Sequence, residues 1–392
     1  MNVLVVSPSP VDQFEKQGNL SAFVGLHNPN GMFDEVHVIQ PTTTEGGVVE
    51  VSDGLLVHRT RWPQPDGTLG ALVKAVGLLI VLCRGVWIAK RERVDLIRGQ
   101  GMVPGGLFGL LLKWATGVPN VTSIHTDFDK VKRVKGRAEV LGSPFLTRLV
   151  ERTIVRRSSA VFVLTPYLRE MMLRRGVDES NVYVVPNHID TDEFARLATE
   201  DRAAKRDELG LDDGFDLLFV GRLVDAKDPT TLLEGFRAAK SECPELQLVV
   251  VGDGPHRDAM ERFVARHGFE DDVVFTGFVP REEVAAIMGA TDALVQPSLF
   301  EGFGFVYIEA QAAGLPIVTT DLPHTKSIVN AENAFMFPPG DAEALAGRLV
   351  AVVTDDERRE TMIERGAETV ERFDTDRQHD RHEAALRDVA RQ

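Results

Sequence analysis

Hydrophobic and polar positions alternate in short blocks along the first half of the chain. Apolar, β-branched runs at Asn2–Ser7, Glu35–Gln40, Leu55–Thr60, Asp95–Gly99, Asn120–Thr126, Ala160–Thr165 and Val182–Pro186 read as strands. Apolar spacings of three and four between them predict helices at about 69–92, 105–116, 144–157 and 166–175. The rhythm then restarts. Strands are expected at Phe215–Gly221, Leu246–Gly252, Val273–Thr276, Ala293–Pro297 and Pro316–Thr320, with helices near 228–241, 256–267, 281–289, 303–313 and 341–353. A charged helix closes the chain over 372–392. Strands alternating with helices predict an α/β fold of two Rossmann-like, doubly wound domains. The polar stretch Asp190–Asp213 separates them. The expected division is therefore 1–190 and 191–375, with the terminal helix, 376–392, packing back on the first domain. Open α/β sheets bind ligands beyond the carboxyl ends of their strands, so two facing sheets predict an enzyme with its site in a cleft.

Composition narrows the class. With 392 residues, 43% hydrophobic and 26% charged, the chain is neither disordered nor collagen-like. Its two cysteines, Cys83 and Cys243, form no ligand or redox motif. They fit a reducing, cytoplasmic setting and are expected to be buried apolar residues. The chain opens directly as a strand, so no cleaved leader is expected. The charge-free apolar run Ala75–Cys83 is too short to span a bilayer. The net charge of −15 is unevenly distributed. Residues 1–190 hold 22 Lys/Arg against 18 Asp/Glu, and the remainder hold 22 against 41. Such asymmetry points to a partner for the basic half.

Several elements can carry chemistry. Gly221-Arg222 ends a strand, and Lys227 precedes the helix opened by Asp228-Pro229. Arg222 and Lys227 suit a diphosphate, one as a planar fork and one as a point charge; the alternative is a pair of surface cations beside Asp225 and Asp228. Pro297-Ser-Leu-Phe-Glu301-Gly302-Phe303-Gly304 leads into a helix carrying Glu309. Its glycines allow close backbone approach, and the helix start offers unpaired amides for phosphate. If Glu301 and Glu309 share one helical side, they lie about two turns apart; the plainer reading is a glycine turn and a carboxylate near a helix dipole. Val249–Pro255 and Phe275-Thr-Gly277-Phe-Val-Pro280 are strand-to-turn elements that line a cleft or flank a base. His125 ends a strand, where it either meets a sugar hydroxyl or is structural.

Together these motifs resemble the retaining glycosyltransferases of family 4, which have the two-Rossmann GT-B fold. The matching text is Val185-Pro-Asn-His-Ile-Asp190, Phe219-Val-Gly-Arg-Leu223 with Lys227, Val251-Gly-Asp-Gly-Pro255, Phe275-Thr-Gly277, Glu301-Gly-Phe-Gly-Phe-Val-Tyr-Ile-Glu309-Ala and Pro338-Pro-Gly-Asp341. The resemblance covers nearly the whole chain and is strongest from 182 to 350. It implies that Arg222 and Lys227 bind the diphosphate of a nucleotide-sugar donor and that Glu309 holds its ribose. Glu301 and the amides around Phe303 and Gly304 would lie at the donor sugar and phosphates, with Gly221, Gly277 and Gly302 in the donor-binding loops. His125 would face the transferred sugar. Two segments depart from the family pattern. The loop Ser7–Asn19 has one glycine where a Gly-Gly pair is common, and Asp321-Leu-Pro-His-Thr-Lys326 replaces a Gly-Gly…Glu element.

The family transfers a sugar with retention of configuration. No Asp-x-Asp element stands in a suitable loop, so neither a catalytic metal nor a cofactor is expected. A sugar-nucleotide epimerase on the same fold is the competing reading; a dehydrogenase is disfavoured because Ser7–Gly18 lacks GxGxxG. The acceptor is a hydroxyl compound, either soluble or lipid-linked. Lys130, Lys132, Arg133, Arg148, Arg152 and Arg156 belong to a stretch with nine basic residues against two acidic ones between 130 and 157. This stretch and the apolar helix 69–92 form either an ordinary solvated edge or a docking surface for an anionic membrane, which would make the enzyme peripheral on the inner face of the cell membrane. Nucleic acid is not expected as a partner, given the acidic chain.

Overall fold

The computed structural model describes residues 1–7, 11, 20–28, 31–42, 46–61, 68–127, 144–187, 189–199 and 202–392. They fall into two compact units. The first holds the described residues up to Asp127, 144–185 and 379–392, and the second holds those of 186–378. The chain thus crosses between units at 185/186 and 378/379, against expected boundaries at 190/191 and 375/376.

The first unit is built on one sheet. Its strands are β1 (Asn2–Val6), β2 (Glu35–Thr42), β3 (Gly47–Ser52), β4 (Leu55–Arg61), β5 (Leu96–Gln100), β6 (Asn120–Ile124), β7 (Ala160–Val163) and β8 (Val182–Val184). They lie in the order β3-β4-β2-β1-β5-β6-β7-β8, parallel except for β3 against β4. The alternation of side chains sends each strand's residues to two helical layers. On one face Leu4, Ile39 and Ile97 meet α2 (Thr68–Arg91) and α3 (Leu107–Thr116) through Ile88, Phe108 and Leu112. On the other, Val5, Leu96 and Phe162 pack with Phe23 of α1 (Leu20–His27) and with Leu386 and Val389 of the last helix. Each such side chain contributes about 1.5–3 kcal/mol when fully buried. Helices α4 (Pro144–Arg157) and α5 (Pro166–Arg174) complete the set.

The second unit carries β9 (Phe215–Val220), β10 (Leu246–Val251), β11 (Val273–Gly277), β12 (Ala293–Gln296), β13 (Ile317–Thr320) and β14 (Phe335–Phe337). All pairs are parallel, in the order β11-β10-β9-β12-β13-β14. Its helices are α6 (Thr191–Thr199), α7 (Arg202–Leu209), α8 (Pro229–Lys240), α9 (Arg257–His267), α10 (Arg281–Ala290), α11 (Phe305–Ala312), α12 (Ala342–Thr354) and α13 (Asp356–Val370). The terminal helix is α14 (Thr375–Ala390). Both sheets are α/β and doubly wound, as expected from the sequence.

Some expectations fail for identifiable reasons. Strand β3 has only a short apolar run, its three valines interrupted by Glu50, and as an edge strand it has no fully buried face; its hairpin signal was the Asp53-Gly54 turn that joins it to β4. The polar stretch after Asp190 is largely helical, since Phe194 and Ala198, four residues apart, are both buried. Cys83 is exposed on α2, and only Cys243 is buried. Among the described residues no helix is long and apolar enough to cross a membrane.

One buried group sets a pH dependence. His27 stacks on Phe23 at 4.3 Å, and its ring Nδ1 pairs with the Phe23 carbonyl at 3.0 Å. Burial, with the Arg98 guanidinium adding to it, pushes its pKa down from 6.5 to about 4. Between those values the unfolded chain binds a proton that the folded chain excludes. His27 therefore contributes stability that is present above pH 6.5 and lost as pH falls toward 4, with a slope of at most about 1.4 kcal/mol per pH unit. Melting temperatures between pH 7.5 and 5 should fall less steeply in His27→Gln than in the parent; identical slopes would show that His27 does not set this dependence.

Candidate functional site

In the second sheet the strand order reverses between β9 and β12, the position where open α/β sheets bind ligands. Backbone hydrogen bonds lace the loops at this carboxyl edge together. Gly221 N–H donates to Val251 O (2.9 Å), Leu223 N–H to Asp253 O (2.9 Å), Gly252 N–H to Gly277 O (2.8 Å) and Leu299 N–H to Ala226 O (2.9 Å). The loops after β9, β10, β11 and β12 thus form one continuous rim.

Lys227 reaches this rim from a short 3-10 turn. Asp228 follows with a left-handed φ of 48°, and its carboxylate caps α8 by accepting from Thr231 N–H (3.2 Å) and Thr231 Oγ1 (2.6 Å). Lys227 Nζ forms an ion pair with Glu301, and both side chains are largely buried. Ser298 Oγ donates to the same Glu301 oxygen (2.8 Å), and Glu301 N–H donates to His324 Nε2 (3.1 Å). That last bond requires the His324 tautomer protonated on Nδ1. A β-carbon on Gly221 would stand 3.1 Å from Lys227 Cε, so glycine there leaves the lysine its path.

Glu301 and Glu309 do not share a helical side. Glu301 lies in the loop, and α11 begins only at Phe305. Gly304 precedes it at φ +92° with no side-chain cap; Tyr307 N–H donates to Gly304 O (3.0 Å), and the amides of Phe305 and Val306 at the helix start suit an anion. Phe303 is buried among Phe305 and Phe373, leaving its backbone rather than its ring for ligand contact. Glu309 sits in the second turn and accepts from Arg281 Nε (3.1 Å). Burial raises its pKa and Arg281 opposes that rise. Gly277 closes β11 beside Arg257, which stacks over Phe275 at 4.7 Å. Arg222 is exposed and has no ion-pair partner among the described residues.

The remaining expected residues belong to the first unit. His125 follows β6; desolvation, with the Arg98 guanidinium adding to it, lowers its pKa from 6.5 to about 4. It is therefore neutral at pH 7, with one nitrogen to donate and one to accept. Two residues on, buried Asp127 accepts from Tyr167 Oη (2.8 Å). Arg148, Arg152 and Arg156 are exposed along α4, whereas Lys130, Lys132 and Arg133 lie outside the described residues. Sequence reasoning missed Ser298, His324 and Arg281. His324 had left a trace, since it falls in Asp321–Lys326, the segment that departs from the family pattern; Ser298 stood within the Pro297–Gly304 motif without being singled out, and Arg281 had left none.

The family model for glycosyl transferases group 1 matches residues 201–369, and the model for the glycosyl transferase 4-like domain matches residues 30–188. A D-inositol 3-phosphate glycosyltransferase of Stackebrandtia nassauensis is 32% identical over 363 residues, 88% of this chain and 80% of that protein. The chain belongs to the group 1 glycosyltransferases of family 4. A 2-deoxystreptamine glucosyltransferase of Streptomyces kanamyceticus is 30% identical to this glycosyltransferase over 78% of its chain and 81% of the relative. In fold it is similar to Anabaena HepE, crystallised with UDP and glucose, at TM-score 0.74 and 20% identity over 99% of this chain and 100% of that one. A sucrose-phosphate synthase from Thermosynechococcus elongatus gives 0.73 at 22% identity, with 99% of each chain covered. The enzyme has the GT-B fold of these neighbours.

The rim depends on Gly304. A β-carbon there would lie 2.5 Å from Tyr307 Cδ2 and would have to adopt a left-handed φ. Gly304→Ala should therefore destabilise this glycosyltransferase by about 1–3 kcal/mol and lower its turnover. A melting temperature equal to the parent's would mean that the loop relaxes without cost.

Proposed function

We propose that the enzyme moves a sugar from a nucleotide-sugar donor to a hydroxyl acceptor with retention of configuration. The observation that carries this reading is the rim of the second unit, where Lys227 and Glu301 are held beside the uncapped start of α11. The UDP and glucose in the HepE crystals support it. In the proposed step the bond between the sugar's anomeric carbon and the diphosphate oxygen breaks, and its electron pair stays on that oxygen. The acceptor hydroxyl bonds to the same face of the sugar and passes its proton to the departing phosphate. Negative charge grows on the diphosphate, so Arg222, Lys227 and the amides at the start of α11 stabilise the transition state more than the bound donor. These cations take the part that a divalent ion plays elsewhere, and turnover needs no metal or cofactor. Glu309, oriented by Arg281, accepts from the ribose hydroxyls.

Product analysis with a panel of nucleotide sugars tests the reaction class; epimerised nucleotide sugar without transfer would contradict it. Arg222→Ala and Lys227→Ala should each lower kcat/KM by ~10²–10³-fold, and Glu309→Ala should raise the donor KM more than the acceptor KM. Turnover should survive EDTA. Near-parental kinetics in all three variants would remove the site assignment.

For the acceptor, we infer a lipid or lipid-linked hydroxyl at an anionic membrane. At 100° per residue Val76, Leu79, Ile80, Cys83 and Trp87 fall within one arc of α2 about 100° wide, and all are exposed. Helix α3, which packs against both α2 and α4, exposes Trp114. On α4 the exposed Phe145, Leu146 and Leu149 accompany Arg148, Arg152 and Arg156. Apolar side chains next to exposed arginines suit the boundary between acyl chains and anionic headgroups. In flotation the full chain should bind vesicles with anionic lipid, lose binding as salt rises, and lose it when the three arginines become Glu. Equal recovery on neutral and anionic vesicles, or none on either, would favour a soluble acceptor.

A further inference from the structure

The amino-terminal edge of the first sheet, at the opposite end of the strands from His125, holds the sole cluster of potential metal ligands among the described residues. Glu35 opens β2, and His37, two residues on, shares its face. Glu92 directly follows α2. One ligand atom from each residue lies within 4.8 Å of the others. We propose that Glu35, His37 and Glu92 bind a divalent cation of the zinc type, separately from glycosyl transfer.

Three observations support this beyond the nearness of two carboxylates. The His37 side chain is only 4% exposed, yet its Nε2 has no hydrogen-bond partner and lies 3.5 Å from Glu35 Oε2. That gap is long for a hydrogen bond. It equals the edge between two ligands held about 2.1 Å from a tetrahedral ion, roughly 3.4 Å. The other ring nitrogen, Nδ1, lies 3.0 Å from His58 Nε2. A metal on Nε2 requires the proton on Nδ1, from where it donates to His58, the outer-shell arrangement that orients metal-bound imidazoles. Glu92 is also positioned, its backbone carbonyl by Asn2 and its carboxylate by Arg91. Asn2 Nδ2 donates to Glu92 O (2.8 Å), and Arg91 Nε stands 3.2 Å from Glu92 Oε1. Two carboxylates neutralise the ion, and their partial exposure leaves room for water to complete its coordination. One imidazole with two carboxylates favours zinc or cobalt over calcium or magnesium, which prefer oxygen alone. The ion would clip the start of β2 to the end of α2.

The test uses the full chain stripped of metal and titrated with Zn²⁺ alone against a chromophoric chelator. The expected result is one ion per chain at micromolar Kd or tighter and a rise of a few degrees in melting temperature at saturating Zn²⁺. Co²⁺ should give a visible d–d band without thiolate charge transfer. Glu92→Gln, at a partly exposed position, and Glu35→Gln should each weaken binding at least tenfold while leaving the far-ultraviolet circular dichroism unchanged. In ¹⁵N spectra of the zinc form His37 should be protonated at Nδ1 only. EDTA should reverse the thermal shift without stopping turnover. Absence of stoichiometric uptake, or unchanged affinity in the Glu35→Gln/Glu92→Gln double variant, would overturn the proposal. Neither result bears on the donor site.

Discussion

The ion pair between Lys227 and Glu301 ties together the two loops that flank the reversal of strand order in the second sheet. Neither charge is well solvated, so the pair persists only because its remaining bonding capacity is met. Ser298 supplies a second donor to the carboxylate, and His324 holds the backbone of the same residue. Removing one partner leaves an uncompensated charge, at a cost of about 3–5 kcal/mol. The site is therefore assembled before any ligand arrives. Its preorganisation is what electrostatic catalysis requires, because dipoles and charges fixed beforehand need not reorganise as the leaving group departs.

The rest of the rim follows from that anchor. Gly221 is small where the lysine passes, and Gly304 turns the chain so that α11 begins with open amides. Tyr307, fully buried and accepting from Thr319 Oγ1 at 3.0 Å, fills the space behind that turn. Arg281 orients Glu309 from the neighbouring α10. The rim of this unit rests on backbone placed by glycines and on side chains locked by second partners.

Strand periodicity made most of both sheets legible, because their central strands are buried on both faces and read as apolar runs. The exceptions are β3 and β14, one an exposed edge strand and the other only three residues long. The helices after Asp190 were obscured because each buries few residues. At the site, the motif residues were visible as residue types at fixed spacings. Their partners were not, since Ser298 and Arg281 acquire their roles only through contacts that folding creates. The linear distance from Glu301 to Glu309 also misled. Eight residues suggest two helical turns, but the glycine at 304 keeps the first of them outside the helix.

The rim of the second unit is proposed to receive the diphosphate of the donor. A crystal structure of the full chain with UDP tests it most directly. The diphosphate should lie against Arg222, Lys227 and the amides at the start of α11, with the ribose hydroxyls on Glu309. UDP bound elsewhere, or bound with Glu309 still paired only to Arg281 and no phosphate near Lys227, would contradict it.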